Sequence, residues 1–320
     1  MNTTEHWAPE RAGYPPVFEW PPRPLAALRW LPNYFVPWNT AYLVVAAGLW
    51  WLATPSTTTM ATLGLGWVLA ILVRNLAVVT VFYSNAHWTL YRRRSQAERY
   101  KFNRAWPRPA QGNRTLGSQH RETVFWSLIS GVPIWTAWEA TTLWLLSSGR
   151  IPALSWSDNP SWFVALFVFI LLFREVHFYL IHRAIHWRPL YRTVHRLHHR
   201  NVNPSPWSGL SMHPVEHALY FSAMALHWVV ASHPLHVIYT GVHLALAPIP
   251  GHLGFERIQV GRATIGTNGY AHYLHHKLFE VNYGDGLIPL DRWFGSFHDG
   301  SPEAGEQLER RRRDRQAADR

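Results

Sequence analysis

Four long apolar stretches limit the possible folds of this chain more than any other feature of its sequence. They cover residues 34–53, 61–83, 124–146 and 162–181. Each is long enough to cross roughly 30 Å of hydrocarbon as an α-helix. Lipid offers backbone groups no water to bond, so such a segment crosses a bilayer as a helix. The sequence therefore predicts an all-α, polytopic membrane protein with about four transmembrane helices.

The distribution of charge predicts the orientation of these helices. Residues 84–121 carry nine arginine or lysine side chains against the single acid Glu98, and short basic loops lie on the cytoplasmic side. Four crossings then place both termini in the cytoplasm. The net charge of +11 thus suits orientation and anionic headgroups, and we expect no nucleic-acid partner.

The remaining segments are arranged around these stretches, and we expect one membrane-embedded domain of residues 1–320. Shorter apolar stretches at 215–231 and 235–250 contain histidines, which favours a re-entrant or interfacial helical pair over a further full hairpin. The predicted segments are a Pro/Trp-rich N-terminal segment at 1–33, the transmembrane region with its basic loop 84–121 at 34–181, a histidine-cluster catalytic region at 182–300, and a basic, disordered tail at 301–320.

Charged or polar residues interrupt the second and third apolar stretches. Arg74 and Asn75 lie in the second stretch, and Glu139 lies in the third. An unpaired charge is expensive in a membrane, so such residues mark packing inside the bundle or a functional cavity. An ion pair between helices is the preferred interpretation.

Histidines cluster in three groups after the fourth apolar stretch. Spacings of three and four residues place side chains on one helical face, and imidazole nitrogens suit iron, zinc, copper or nickel. Eight donors exceed the needs of one ion, so two metal ions are predicted, and with no cysteine in the chain thiolate ligands are excluded. The groups are His182 with His186, then His195, His198 and His199, and finally His272, His275 and His276.

The phrases HRAIH, HRLHH and HYLHH, with LYRTVH, MHPVE, GHLGFE, NYG and DRWFGS, resemble the fatty acid hydroxylase and sterol desaturase superfamily of membrane di-iron enzymes. The resemblance covers about residues 170–300. It implies a cytosolic metal cap with two iron ions on about nine histidines and with dioxygen as cosubstrate, although purified protein could carry zinc. It also implies a ninth ligand, for which His252 in GHLGFE is the best match and His243 the alternative.

Polar side chains beside the clusters are candidates for holding the second ring nitrogen of each metal ligand, as carboxylates and carbonyls commonly do. Ordinary loop hydrogen bonding is the alternative for each of them. One departs from the family pattern, which often has Asp where this chain has Glu175. The candidates are Glu175, His213, Glu216, Glu256, Asn282 and Asp291.

The resemblance implies oxygen-dependent hydroxylation of a C–H bond in a lipid, which is a fatty acyl, membrane-lipid or sterol-like substrate. Sterol-type C–C desaturation at the same site is the alternative. A zinc-dependent membrane hydrolase or a non-catalytic metal-binding protein is a remoter one, because HExxH is absent and hydrolase zinc sites usually have three protein ligands. Electrons are expected from a separate ferredoxin, cytochrome or reductase, and no catalytic residue is expected beyond the metal ligands.

Overall fold

Helices account for most of the chain in the computed structural model, which describes residues 9–107 and 114–318. Parts of three predicted segments lie outside the described residues: 1–8 of the N-terminal segment, 108–113 of the basic loop and 319–320 of the tail. The first helices, after a 3₁₀ turn at Pro16–Phe18, are α1 (Pro24–Phe35), α2 (Trp38–Ala53), α3 (Thr57–Met60) and α4 (Leu65–His87).

The next helices follow the basic loop. They are α5 (Gln119–Trp126), α6 (Val132–Ser147) and α7 (Pro160–Ile185), and π-helical turns at Trp88–Arg92 and Ser127–Gly131 extend α4 and join α5 to α6. α7 starts at Pro160 because Asn159 caps it, accepting a hydrogen bond from the Trp162 N–H. The basic segment therefore starts later than predicted, because the second helical span continues to Arg92.

Short helices and one hairpin make up the rest of the chain. β1 and β2 pair antiparallel around a turn at Gly261, which has φ of +60°, so the all-α prediction missed one small sheet. The elements are α8 (Arg188–Leu190), α9 (Arg196–His199), α10 (Pro214–Phe221), α11 (Leu226–Val229), α12 (Pro234–Leu246), α13 (Pro248–His252), β1 (Arg257–Val260), β2 (Ala263–Gly266), α14 (Tyr270–Leu278), α15 (Leu290–Trp293) and α16 (Pro302–Ala318), with a π-helical turn at Tyr191–His195 and 3₁₀ turns at Pro206–Leu210 and Ser222–Ala225.

Three helical segments in the described part of the chain are long and apolar enough to cross a membrane: Pro24–Ala53, Leu65–Arg92 and Pro160–Ile185. They correspond to three of the four predicted spans: the first and the last have wider limits, and the second begins later, at Leu65, and ends later, at Arg92. The predicted third span, 124–146, is helical as α5 and α6 but does not reach the same apolar character. Glu139 and several Thr, Ser and Trp residues dilute its apolar content.

Two further predictions require correction. Residues Pro302–Ala318 form α16, although the tail was predicted to be disordered. The predicted pair at 215–231 and 235–250 is helical, but the residues of α12 from His236 to Leu246 are all buried. A helix lying at an interface would expose one face, whereas α12 packs against α2, α6 and α7 in the centre of the bundle. The interfacial alternative is therefore wrong for α12, and the re-entrant alternative stays a prediction.

The charged residues of the second and third apolar stretches pair with each other. Arg74 forms an ion pair with Glu139, and Asn75 Nδ2 donates to Glu139 Oε2 at 3.0 Å. All three side chains are buried. The predicted ion pair between helices is therefore confirmed, and it joins α4 to α6.

Candidate metal centre

The nine histidines predicted as metal ligands meet in two neighbouring groups. Within each group, one ring nitrogen of every histidine lies within 4.8 Å of the others. The first group, called group A below, is His182, His186, His195, His199 and His275, and the second, group B, is His198, His252, His272 and His276.

Helix geometry explains how three sequence motifs supply two groups. In each HxxHH motif the two histidines four residues apart share a group, and the remaining histidine belongs to the other group. His195 and His199 thus face group A while His198 faces group B. In α14, His272 and His276 face group B while His275 faces group A. Each motif therefore bridges both groups.

Distances between the ring nitrogens fit shared metal ions. Two nitrogens bound at about 2.1 Å to one ion are about 3.0 Å apart at a right angle and about 3.4 Å apart at a tetrahedral angle. In group A, His199 Nε2 lies 3.1 Å from His186 Nε2 and 3.0 Å from His275 Nε2. In group B, His252 Nε2 lies 3.0 Å from His272 Nε2 and 3.4 Å from His198 Nε2.

Hydrogen bonds on the opposite ring nitrogen determine where the protons of these facing rings lie. His198 Nδ1 lies 3.3 Å from the Ser211 carbonyl oxygen and His252 Nδ1 lies 2.8 Å from that of Pro248. A carbonyl oxygen only accepts, so both Nδ1 atoms carry the proton in the neutral rings. The two facing Nε2 atoms then present lone pairs to each other, an arrangement that a shared positive ion stabilises.

The same anchoring occurs in group A. His182 Nδ1 donates to the Tyr283 carbonyl oxygen and His275 Nδ1 to that of Val281, each at 2.7 Å. His195 Nδ1 lies 2.8 Å from Glu216 Oε1, and its buried Nε2 has no hydrogen-bond partner among the described residues. The donor atoms present therefore fit metal ions that take imidazole ligands.

Burial keeps these rings neutral and able to bind metal. Burial lowers the pKa of His252 to about 4 and, together with neighbouring histidines, lowers the pKa of His195, His199 and His276 well below the usual range. A neutral imidazole offers the lone pair that a metal binds, whereas imidazolium does not.

Only one of the six predicted supporting residues contacts a clustered histidine directly. Glu216 holds His195, and burial raises the pKa of its carboxyl well above the usual range. A cation in group A would counteract this shift, because positive charge favours the carboxylate.

Two other candidates act through the backbone. Asp291 accepts hydrogen bonds from the Tyr283 and Gly284 N–H groups, and the Tyr283 carbonyl in turn anchors His182. Asn282 Nδ2 donates to the carbonyl oxygen of Ala271 at 3.1 Å, next to the first histidine of α14.

The remaining three candidates lie away from the histidine rings. Glu175 accepts hydrogen bonds from the Tyr34 hydroxyl and the Ile288 N–H. His213 caps α10 by accepting from the Val215 N–H. Glu256 has a buried Oε2 without a partner in the described part of the chain. For these three, the structure shows no contact with either group.

Sequence reasoning missed the backbone carbonyls that anchor most of the held rings. The carbonyls of Ser211, Pro248, Val281 and Tyr283 take this role. Every residue has a carbonyl, so no sequence signal could have identified them. The alternative ninth histidine, His243, lies outside both groups, and its Nε2 bonds to Asn39 Oδ1 at 2.9 Å.

A cavity of about 440 Å³ reaches both histidine groups. His182 and His195 of group A and His198, His252 and His272 of group B contribute to its wall. Its size falls in the range of small-molecule binding sites. The other wall residues include aromatic and aliphatic side chains from α1, α2 and α7, among them Trp30, Tyr42, Leu171, Phe178 and Ile181.

Comparisons with known proteins find similarity in the part of the chain that carries the histidine groups. The family model described as fatty acid hydroxylase matches residues 167–296. Lathosterol oxidase of Mus musculus is 32% identical over 196 residues, which are 58% of this chain and 63% of the mouse protein. Delta(7)-sterol 5(6)-desaturase of Aspergillus fumigatus is 28% identical over 162 residues, which are 44% of this chain and 51% of the fungal protein.

Human lathosterol oxidase is similar to the same extent, with 31% identity over 148 residues covering 45% of this chain and 48% of the human protein. The chain thus spans about half to three fifths of the length of these relatives. No solved structure matches the chain significantly.

Proposed function

Because the chain belongs to the fatty acid hydroxylase and sterol desaturase superfamily, we propose that this oxidoreductase is a membrane di-iron enzyme that introduces a C–C double bond into a sterol-type lipid. The observation that carries the proposal is the pair of histidine groups at one cavity. Group A would hold one iron ion and group B the other. When bound, iron supplies the dioxygen and one-electron chemistry that an unactivated C–H bond requires.

The choice between desaturation and hydroxylation rests on the relatives. Those described above are named as sterol desaturases or lathosterol oxidases, which supports desaturation over the hydroxylation that the sequence favoured. Hydroxylation is the second candidate, because the matching family model is described as fatty acid hydroxylase. Both reactions begin with a C–H bond held beside the same two groups.

The chain's own residues position the ligands and shape the space for the substrate. The Glu216 carboxylate and four backbone carbonyls fix the orientation of the rings that they anchor, as supporting hydrogen bonds do in metal sites generally. Aromatic and aliphatic residues of the cavity wall, such as Phe178, Leu171 and Trp30, would enclose the apolar body of a lipid. Such enclosure excludes water from the reacting C–H bond.

The overall reaction requires an external reductant. Desaturation removes two hydrogen atoms from adjacent carbons, and reduction of dioxygen to two water molecules consumes two further electrons and two protons. We propose that a separate ferredoxin, cytochrome or reductase delivers these electrons, because this chain has no cysteine to hold an iron–sulfur cluster.

We further propose that the metal centre faces the cytoplasm and that α5 and α6 supply a fourth crossing. Arg92–Arg94 lie at the end of the π-helical turn that extends α4, and α7 is followed by Arg188 and Arg192. The first of these ends lies near group B, since the Tyr91 hydroxyl donates to the carbonyl of Leu253, which follows His252. The second lies near group A, since α7 itself carries His182. Basic residues at these helix ends support a cytoplasmic location.

Mass spectrometry of membrane sterols tests the proposed function. Cells that make Delta(7)-sterols would express the wild type or the His275→Ala variant, together with a ferredoxin and its reductase. We expect a sterol lighter by two hydrogen atoms from the wild type and from a control variant outside the site, but not from His275→Ala. A matched control is His227→Ala, because His227 is buried and bonds to Ser232 and Thr240 outside both groups. A product heavier by one oxygen atom would favour hydroxylation, and equal product from the His275→Ala variant would contradict the site.

A further inference from the structure

A second polar feature lies in the cavity, apart from the two histidine groups. His243 on α12 lines the cavity and is only 4% exposed. Its Nδ1 is buried without a hydrogen-bond partner in the described residues. Because a buried polar atom without a partner costs free energy, this nitrogen is suited to a bond with a bound molecule.

The contacts around His243 determine which of its ring nitrogens donates a hydrogen bond and which accepts one. Asn39 Nδ2 lies 2.7 Å from the Tyr34 carbonyl oxygen, which can only accept, so the amide oxygen of Asn39 faces His243. His243 Nε2 therefore donates to Asn39 Oδ1 at 2.9 Å. A buried imidazole without a carboxylate beside it is neutral, so Nδ1 carries a lone pair and acts as an acceptor.

Arg174 adds a donor to the same cavity. Its two Nη atoms donate to Asp285 Oδ2 and Oδ1 at 2.9 and 3.0 Å, which balances its charge. Its Nε is buried and has no acceptor among the residues described, and Arg174 also lines the cavity. One cavity thus contains an unused acceptor on His243 and an unused donor on Arg174.

We propose that His243 Nδ1 and Arg174 Nε bind the hydroxyl group of a lipid alcohol whose body extends toward the histidine groups. A hydroxyl both donates and accepts, and so it matches both unused atoms. A ketone would leave His243 without a donor. A carboxylate would bring a second negative charge to Arg174, which Asp285 already neutralises, and would also lack a proton for His243.

This inference rests on the proposed function and names the residues that hold the hydroxyl group of its substrate. Arg174 precedes His182 by eight residues on α7, which is about 12 Å along the helix axis. A hydroxyl held near Arg174 therefore leaves a fused ring system of a sterol within reach of group A. His243 would act as a positioning residue for the substrate and not as a metal ligand.

Binding under nitrogen tests the inference without turnover. Purified full-length chain in lipid nanodiscs would be titrated with lathosterol and with the ketone made by oxidising its hydroxyl. A second pair, hexadecan-2-ol and hexadecan-2-one, tests acyclic lipids. We expect the wild type to bind the alcohol of at least one pair about tenfold more tightly than the ketone, the contribution of one hydrogen bond in a buried site. Equal affinities within both pairs would overturn the inference.

Two variants test whether His243 causes the preference for the alcohol over the ketone. His243→Leu removes the acceptor and should bring the alcohol-to-ketone affinity ratio close to one. His236→Leu is the matched control, because His236 is buried on the same helix but bonds to the Phe163 carbonyl away from the cavity. Its ratio should equal that of the wild type. A preference that persists in His243→Leu would overturn the assignment, and the wild-type comparison stands even where a variant fails to fold.

These outcomes separate the inference from the proposed function, which the loss of two hydrogen atoms from a sterol tests independently. Sterol desaturation without an alcohol preference would refute only the hydroxyl site. An alcohol preference confined to the acyclic pair would support the hydroxyl site and contradict a sterol substrate.

Discussion

A substitution at Glu216 tests whether this residue strengthens metal binding in group A without affecting group B. Its Oε1 lies 2.8 Å from His195 Nδ1, and both side chains are almost fully buried. Glu216→Gln keeps the size and an oxygen acceptor but removes the negative charge that strengthens the imidazole as a ligand. Loss of such a partner typically weakens metal binding by about 10- to 100-fold, or roughly 1.4 to 2.8 kcal/mol.

The effect should be confined to group A, because Glu216 contacts no histidine of group B in the described residues. The assay is anaerobic titration of metal-free protein with Fe²⁺ against a competing chelator, which resolves two binding steps. Glu256→Gln is the control, since Glu256 is a partly buried acid in the same cavity wall without a histidine contact. Equal weakening of both steps, or the same change in the control, would refute the reasoning.

Further predictions concern stability and metal removal. Arg74→Leu should cost about 3–5 kcal/mol of stability, because it leaves Glu139 charged and buried; the Arg74→Leu, Glu139→Leu double variant should recover most of this loss in a denaturation series. Gly241→Ala should cost about 1–3 kcal/mol through overpacking, because a Cβ there would collide with Trp135 Nε1; thermal unfolding in detergent checks it. Removal of metal by a chelator should lower the unfolding temperature and restoring Fe²⁺ should raise it, because empty groups leave nitrogen lone pairs facing each other; an unchanged temperature would contradict this.

Residue spacing was sufficient to predict eight of the nine histidines that meet. Repeats of three and four residues put side chains on one helical face wherever a helix forms, and the HxxHH motifs do lie on helical turns. Spacing did not reveal that each motif serves both groups, because that depends on how α9 and α14 are placed relative to each other. His252 came from a sequence phrase, and its position beside His272 follows from the packing of α13 against α14.

The membrane region was predictable where apolar residues predominate along a stretch. α7 matches its predicted span closely because Leu, Ile, Val and Phe dominate it, although Arg174 and Glu175 lie near its middle. The third predicted span is helical but is not among the described helices of sufficient apolar character, since Glu139 and the polar residues near it form contacts inside the bundle. The helix at Pro302–Ala318 was missed because its charges suggested disorder, whereas Arg312 donates to the Leu278 carbonyl and Arg315 pairs with Glu280.

Supporting residues were the least predictable part of the site. Glu216 reaches His195 because α10 packs against the π-helical turn that carries this histidine. Glu175 is equally acidic and precedes His182 by two turns of the same helix, yet it bonds to Tyr34 on α1. Proximity in sequence to a histidine therefore did not decide which carboxylate supports a ring.

The number of iron ions per folded chain tests the central claim most directly. Wild type, His252→Ala and His275→Ala would be reconstituted anaerobically with Fe²⁺, desalted, and measured for iron and protein by elemental and amino-acid analysis. Because His275 lies in group A and His252 in group B, we predict two iron ions in the wild type and about one in each variant, with a different ion lost in each. A wild type that saturates at one iron ion, or variants that retain two, would contradict a two-metal centre built from these nine histidines.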